Sequence, residues 1–536
     1  MKAMFRPRPS RAARNHSWHY FGIELFMARF HRWSTVACTT IVALLVAGNT
    51  DATVGQPGTL DASFGSAGII NMPMGSGNSG ANAIARQSDG RIVVAGSCAG
   101  ATARDFCAQR YFSDGTLDPS FAPTSSIGAG RVITPVGAGD DVAYAVAVQT
   151  DGKIVIAGVC GGATDDDFCA VRLTTNGAMD SGFGSAGIVI TPVGTGKDVA
   201  RALALQADGK IVLAGQCLGP GNTRICVVRY TADGGLDSDF GVGGIVLTAV
   251  GTAASALAMS VQADGKIVVA GSCGTAICAL RYNADGTLDA NFGSDGKVLT
   301  AVGSSAQSVA LAVAVQPDGK IVLAGRCFVG GMNNFCSVRY MPDGNLDATF
   351  GILSAVGAGK IITAFGAGHN TANSIALQPD GKIVLAGECA LHTDFCALRY
   401  NADGTIDTSF AAFSPIGSGM VMTSLGIGSA DYAYAMVLQP DGKIVLAGQC
   451  VNGAVSRFCL LRYDGGSSSS QSCTPDFDGD GRVLATTDAL ILTRVALGMT
   501  GNAVVNGITF SANASRNTWP LIRDYLVTQC GMSLVQ

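Results

Sequence analysis

Three aspartates at alternate positions, Asp476, Asp478 and Asp480, precede Gly481 in "CTPDFDGDGRVLATTDALILTRVALG" (473–498). Carboxylates spaced this way in a tight loop converge on one small volume. With the Arg482 carbonyl at the seventh place they form a hard-oxygen donor set suited to calcium, the one cofactor to which the sequence points. The plain alternative is a polar loop in which Asp488 caps the following helix.

Cysteines form a second chemical pattern: Cys98/Cys107, Cys160/Cys169, Cys217/Cys226, Cys273/Cys278, Cys327/Cys336, Cys389/Cys396 and Cys450/Cys459, with Cys473 and Cys530 bracketing the last segment. Even numbers at a regular spacing favour disulfides, and isolated pairs without histidine make poor zinc sites. Beyond residue 52 the histidines are His369 and His392, near Glu388 and Asp394. These four are a weak candidate metal site, weighed against two solvated loop histidines. No nucleophile elbow, HExxH or phosphate loop is present.

The elements that position these residues repeat. "QPDGKIVLAG" occurs unchanged at 316–325, 378–387 and 439–448, and weaker copies place its Asp at Asp89, Asp151, Asp208 and Asp264. The unit at 143–194 contains four β-branched runs, "AYAVAVQ", "KIVIAG", "FCAVRL" and "GIVIT", here called strands A to D. Asp-Gly between A and B suits a tight hairpin. Four antiparallel strands repeated seven times predict an all-β, seven-bladed β-propeller, with a parallel β-solenoid as the rival. "GIINM" (68–72) supplies the outer strand that the seventh unit lacks and closes the ring. The cysteines then fall on the B–C hairpins. A repeated Arg (Arg110 to Arg462) and a repeated "LD" Asp are expected to tie blades together.

The units "PDGKIVLAG…FCALRYNADGTIDTSF" resemble the delta-60 repeat family of secreted bacterial propellers, over about residues 60–463. The resemblance implies architecture and no catalytic motif. The segment 473–498 resembles a dockerin repeat. That resemblance implies calcium on Asp476, Asp478, Asp480, the Arg482 carbonyl and Asp488, in a small α-helical module. Asp488 falls at place 13 rather than 12, and no second calcium loop follows. Both departures argue against docking to a cohesin-like partner.

The first fifty residues are basic and lead into "TVACTTIVALLVAG" (35–48), an apolar run too short for a membrane span. Residues 1–52 read as a signal peptide, with Met27 as a possible true start. Its removal leaves a net charge of −9, so no basic surface offers itself to nucleic acid. The expected organisation is a propeller at 53–463, a Gly/Ser linker at 464–472 and a dockerin-like calcium module at 473–536. The A–B and C–D turns are uniform, whereas the B–C and D–A loops vary. The expected protein is a secreted (extracellular or periplasmic) monomer without a transmembrane anchor, binding an unknown protein or glycan ligand on the variable-loop face. The rival classes are an extracellular polysaccharide-active enzyme, a hydrolase or lyase, and a purely structural surface protein.

Overall fold

The computed structural model describes residues 56–162, 165–219, 221–303, 308–389, 394–425, 430–466, 476–478, 484, 486–497, 499–511, 514 and 516–528. The expected signal peptide, His392, Cys473, Asp480, Arg482 and Cys530 lie outside them. The chain divides into two compact units, one spanning Gly55–Ser470 and one containing Gln471–Gln536.

Each repeat builds one four-stranded antiparallel sheet, and there are seven. In blade 2 the strands are Val142–Val148, Ile154–Gly161, Asp166–Leu173 and Ile188–Thr191, hydrogen-bonded in that order. The A strands of successive blades adjoin one another all the way round, so strand A is innermost. The A–B turn forms for a local reason. Gly152 takes φ +83°, and Asp151 Oδ1 accepts the Lys153 N–H at 3.0 Å. Apolar residues fill the spaces between blades. Val93, Ala95 and Phe106 of blade 1, for example, pack with Ala143, Ile154 and Ile156 of blade 2.

The ring closes as expected. Ile69–Met72 pairs antiparallel with Val455–Tyr463, Ile69 opposite Leu461 and Met72 opposite Phe458. The seam extends beyond the expected linker boundary, because Asp464 and Gly465 are bound into the propeller. The Gly58 N–H donates to the Asp464 carbonyl and Arg399 donates to the Gly465 carbonyl.

One feature escapes the sequence pattern. In blade 3, Ala200 faces Gly215 and Ala202 faces Ala214, leaving Arg201 as an extra residue in strand A. The same bulge recurs in the other six A strands. It explains the glycine of "LAG": a Cβ on Gly215 would lie 1.9 Å from the Val199 carbonyl oxygen. Only glycine lets the two backbones approach so closely.

Six of the expected disulfides are present: Cys160–Cys169, Cys217–Cys226, Cys273–Cys278, Cys327–Cys336, Cys389–Cys396 and Cys450–Cys459. Blade 1 departs from the expectation, since Cys98 and Cys107 are buried free thiols. Their register matches that of the bridged hairpins, Gly96 opposite Cys107 and Cys98 opposite Asp105. Burial pushes the Cys107 thiol well up, and the adjacent Cys98 adds to the shift.

The second unit contains the helices Asp488–Ala496, Asn502–Val505 and Trp519–Thr528. Phe477, Ile491, Val495, Val504, Ile522, Tyr525 and Leu526 form its core. No described helix is long and apolar enough to cross a membrane.

Candidate functional site

Three regions hold charged side chains in defined geometry. The first is the face of the Asp-Gly turns. In blade 5, Arg339 Nε donates to Asp347 Oδ2 at 2.8 Å, and Lys320 approaches the same oxygen at 3.3 Å. The guanidinium lies over the Phe350 ring at 4.4 Å, and its Nη1 donates to the Ala402 carbonyl of blade 6. All seven blades repeat the arginine–aspartate pair, with Arg91 in place of the lysine in blade 1. The seventh uses Arg462 with Asp61, which belongs to the segment leading into the closing strand. The repeated pairs therefore close within a blade rather than between blades. The tie between blades is the guanidinium bond to the next carbonyl. Burial works to raise the Asp347 carboxyl, but Thr349, Arg339 and Lys320 outweigh it and hold it at about 2. The carboxylate is thus committed to structure. A cleft of about 1140 Å³ opens on this face between blades 2, 3 and 4, lined largely by repeated turn residues such as Gln206, Asp208, Gln262 and Asp264.

The second region is the opposite face. Some of its D–A loops are fixed by buried carboxylates that sequence reasoning missed. Asp141 accepts the N–H groups of Val136, Gly137 and Gly161, and Asp198 those of Val193, Gly194 and Leu218. Each thereby joins a D–A loop to the B–C hairpin of its own blade. The only sequence signal is an Asp just before strand A in some blades. The structure sends the weak candidate residues to different partners. His369 Nδ1 accepts the Asn333 N–H of blade 5 at 3.1 Å. Glu388 bonds Thr371, and burial pushes its carboxyl up against the opposing pull of Thr371 and Arg326. Asp394 is buried opposite Cys389.

The third region is in the second unit. Among the described residues, one cluster of His, Cys, Asp or Glu could hold a metal ion. It comprises Asp476, Asp478 and Asp488, whose carboxylate oxygens lie within 4.8 Å of one another. Asp478 and Asp488 are buried. Asp488 Oδ1 accepts the Phe477 N–H at 2.6 Å and the Asp478 N–H at 3.1 Å, while Oδ2 accepts the Leu484 N–H at 2.8 Å. The residue read both as a ligand and as a helix cap is therefore a staple that holds the loop to the helix start. Arg516, which sequence reasoning did not single out, completes the frame. It donates to the carbonyls of Asp476 and Phe477 and lies over the Tyr525 ring at 3.9 Å. The donor set is all oxygen and fits a hard divalent cation.

Seven segments, 87–121, 149–183, 206–240, 262–292, 316–350, 378–410 and 439–468, match the model of a domain of unknown function, the DUF5122 beta-propeller. No curated protein matches the chain. Matching solved structures include virginiamycin B lyase from Staphylococcus aureus, at 10% identity over 73% of this chain and 98% of that one, with a TM-score of 0.42. The polysaccharide lyase Uly1 matches at 11% identity over 78% and 94%, with a TM-score of 0.39. Drosophila Plexin A in complex with Semaphorin 1b matches at 10% identity over 76% and 88%, with a TM-score of 0.37.

Proposed function

For a chain built of seven DUF5122 beta-propeller repeats, we propose the role of an exported binding protein that recognises its ligand on the face of the B–C and D–A loops. The contrast between the two faces carries this reading. The Asp-Gly face repeats one clamp seven times, so its charges are used in holding the ring. The opposite face carries loops of differing length and sequence, braced from below by buried carboxylates and B–C disulfides. Rigid scaffold under variable loops is the arrangement that recognition surfaces share. The disulfides fit an oxidising compartment outside the cytosol.

The full chain, screened against glycan and extracellular-protein arrays, should retain a ligand. A variable-face variant (Asp140→Ala, Lys197→Ala, Asn333→Ala, His369→Ala) should lose it. An Asp-Gly-face variant (Asp208→Ala, Asp264→Ala) should not. The opposite pattern would overturn the reading.

The second unit is proposed to bind calcium through Asp476, Asp478 and Asp488, joined by Asp480 and the Arg482 carbonyl. Bound calcium would neutralise clustered carboxylates and order the loop ahead of the Asp488–Ala496 helix. Its role is structural, and the single loop gives no second half for cohesin-type docking. Calorimetric titration of the full chain should show one calcium site that Asp478→Ala abolishes. Equal uptake by both proteins would remove the site from this loop.

A further inference from the structure

The extra residues of the strand A bulges form a ring around the inner edge of the propeller, one per blade. Each is the third or fourth residue of its strand, close to the variable-face end. The flanking alanines of blade 1, Ala81 and Ala83, are buried, whereas the bulge residue between them, Asn82, is half-buried. The other six bulge residues are half-buried as well. A bulge re-aims one side chain out of the regular alternation. Here the backbone device is constant and the residue it presents changes.

Neighbouring members touch. The Arg201 guanidinium lies 4.0 Å over the Tyr144 ring. The Asn82 amide donates to the Ala143 carbonyl, next to Tyr144, and the Asn373 amide to the Ala433 carbonyl, next to Tyr434, each at 2.8 Å. The ring has two sides. Blades 6, 7, 1, 2 and 3 carry Asn373, Tyr434, Asn82, Tyr144 and Arg201. Blades 4 and 5 carry Leu257 and Leu311. Tyr432 stacks on Tyr434, with centroids 5.9 Å apart and planes 6° from parallel.

Arg201 differs from the seven clamp arginines. Each of those has an aspartate, whereas among the described residues no carboxylate lies within ion-pair reach of Arg201. Its Nε is buried with no protein hydrogen-bond partner, as is that of Arg462, but Arg462 has Asp61 as a counter-ion. A half-buried cation that lacks a counter-ion is costly to keep. An arriving carboxylate would relieve that cost through charge-assisted, bidentate hydrogen bonds.

We propose that this ring is the ligand seat, and that it takes a ring-bearing carboxylate, either a hexuronate sugar or an aromatic acid. Arg201 pairs with the carboxylate. Tyr432 and Tyr434 offer an aromatic face to the ligand ring. The amide oxygens of Asn82 and Asn373 accept its hydroxyls, and Leu257 and Leu311 meet its apolar side. The inference rests on the reading of the propeller as a binding protein, and it moves the seat from the loop tips to the channel beneath them.

Calorimetry on the full chain tests it, with a hexuronate trisaccharide and 4-hydroxybenzoate as probes and their methyl esters as uncharged counterparts. At least one acid should bind, and which one does identifies the source. Arg201→Gln should weaken that acid by about tenfold or more while leaving its ester unchanged. Arg201→Lys, which keeps the charge, should fall between and covers a failure of the glutamine variant to fold. Tyr434→Leu should weaken acid and ester alike. Absence of binding by both acids, or undiminished binding by Arg201→Gln, overturns the seat. If a ligand found on the arrays is lost only in the variable-face variant and kept by Arg201→Gln, the loop reading stands and the channel seat falls.

Discussion

The two ends of each blade handle repetition in opposite ways. At the Asp-Gly end, the same Arg, Asp and Phe make the same contacts seven times, from Arg110 with Asp118 and Phe121 to Arg462 with Asp61 and Phe64. At the other end the constant part is backbone, a bulge seated on a glycine, and the side chain presented differs between blades. Invariance of side chain marks what the ring needs to stay closed. Invariance of backbone under changing side chains marks where one blade can differ from another without losing the fold.

The contrast can be broken most severely at the seam. Deleting residues 53–74 removes the outer strand of blade 7 together with Asp61, and should abolish cooperative unfolding of the propeller in a circular-dichroism melt. A truncated protein that melts like the full chain would show that closure is dispensable. Within an intact ring the clamp should matter next. Arg339→Leu leaves Asp347 with Lys320 as its only counter-charge, beside the Thr349 hydrogen bonds, and should cost roughly 3 kcal/mol, read from denaturant midpoints. Gly215→Ala drives a Cβ into the Val199 carbonyl and should cost about 1–3 kcal/mol, while also disturbing the position of Arg201.

Acid should loosen the clamps together. The Asp347 and Asp407 carboxyls are held at about 2, below their ordinary 3.8, because hydroxyl, lysine and arginine partners outweigh burial. A depressed carboxyl contributes stability that is present above its unfolded value and lost as pH falls through the folded one. Melting temperature should therefore decline between pH 3.8 and about 2, and a flat profile there would mean the pairs add nothing. The smallest effect belongs to the ring. Leu257→Asn, a change of type already tolerated at Asn82 and Asn373, should alter stability by less than about 1 kcal/mol.

Much of the architecture was legible from local signals. Asp-Gly pairs gave the hairpins, β-branched runs the strands, and "GIINM" the closing strand, because each depends on a few adjacent residues. Six cysteine pairs followed from the hairpins. The bulge was hidden because small residues on both sides of Tyr144 or Arg201 read as ordinary alternation, and the extra residue appears only when the partner strand is laid beside it. The within-blade pairing of the arginines was hidden for a related reason, since Arg339 and Asp347 are neighbours only after the C–D turn has formed. Blade 1 shows a further limit. Cys98 and Cys107 share the spacing and register of bridged pairs, so sequence cannot distinguish their thiols from the rest. Asp488 was assigned to a ligand or a cap, and its position between Phe477 and Leu484 makes it a staple that serves loop and helix at once.

The seam also imposes an order on the history of the chain. Each disulfide joins cysteines 5 to 9 residues apart, so a blade can be stapled as soon as its own hairpin has emerged. The contacts that shut the ring join residues nearly four hundred apart, such as Lys443 with Asp61 and Arg462 with Ser63. Until the last hairpin has been synthesised, the strand Ile69–Met72 has no partner and the growing array has two open edges. For most of its synthesis this protein is an unfinished circle, and any chaperone that attends it must shield the first strand until the last one arrives.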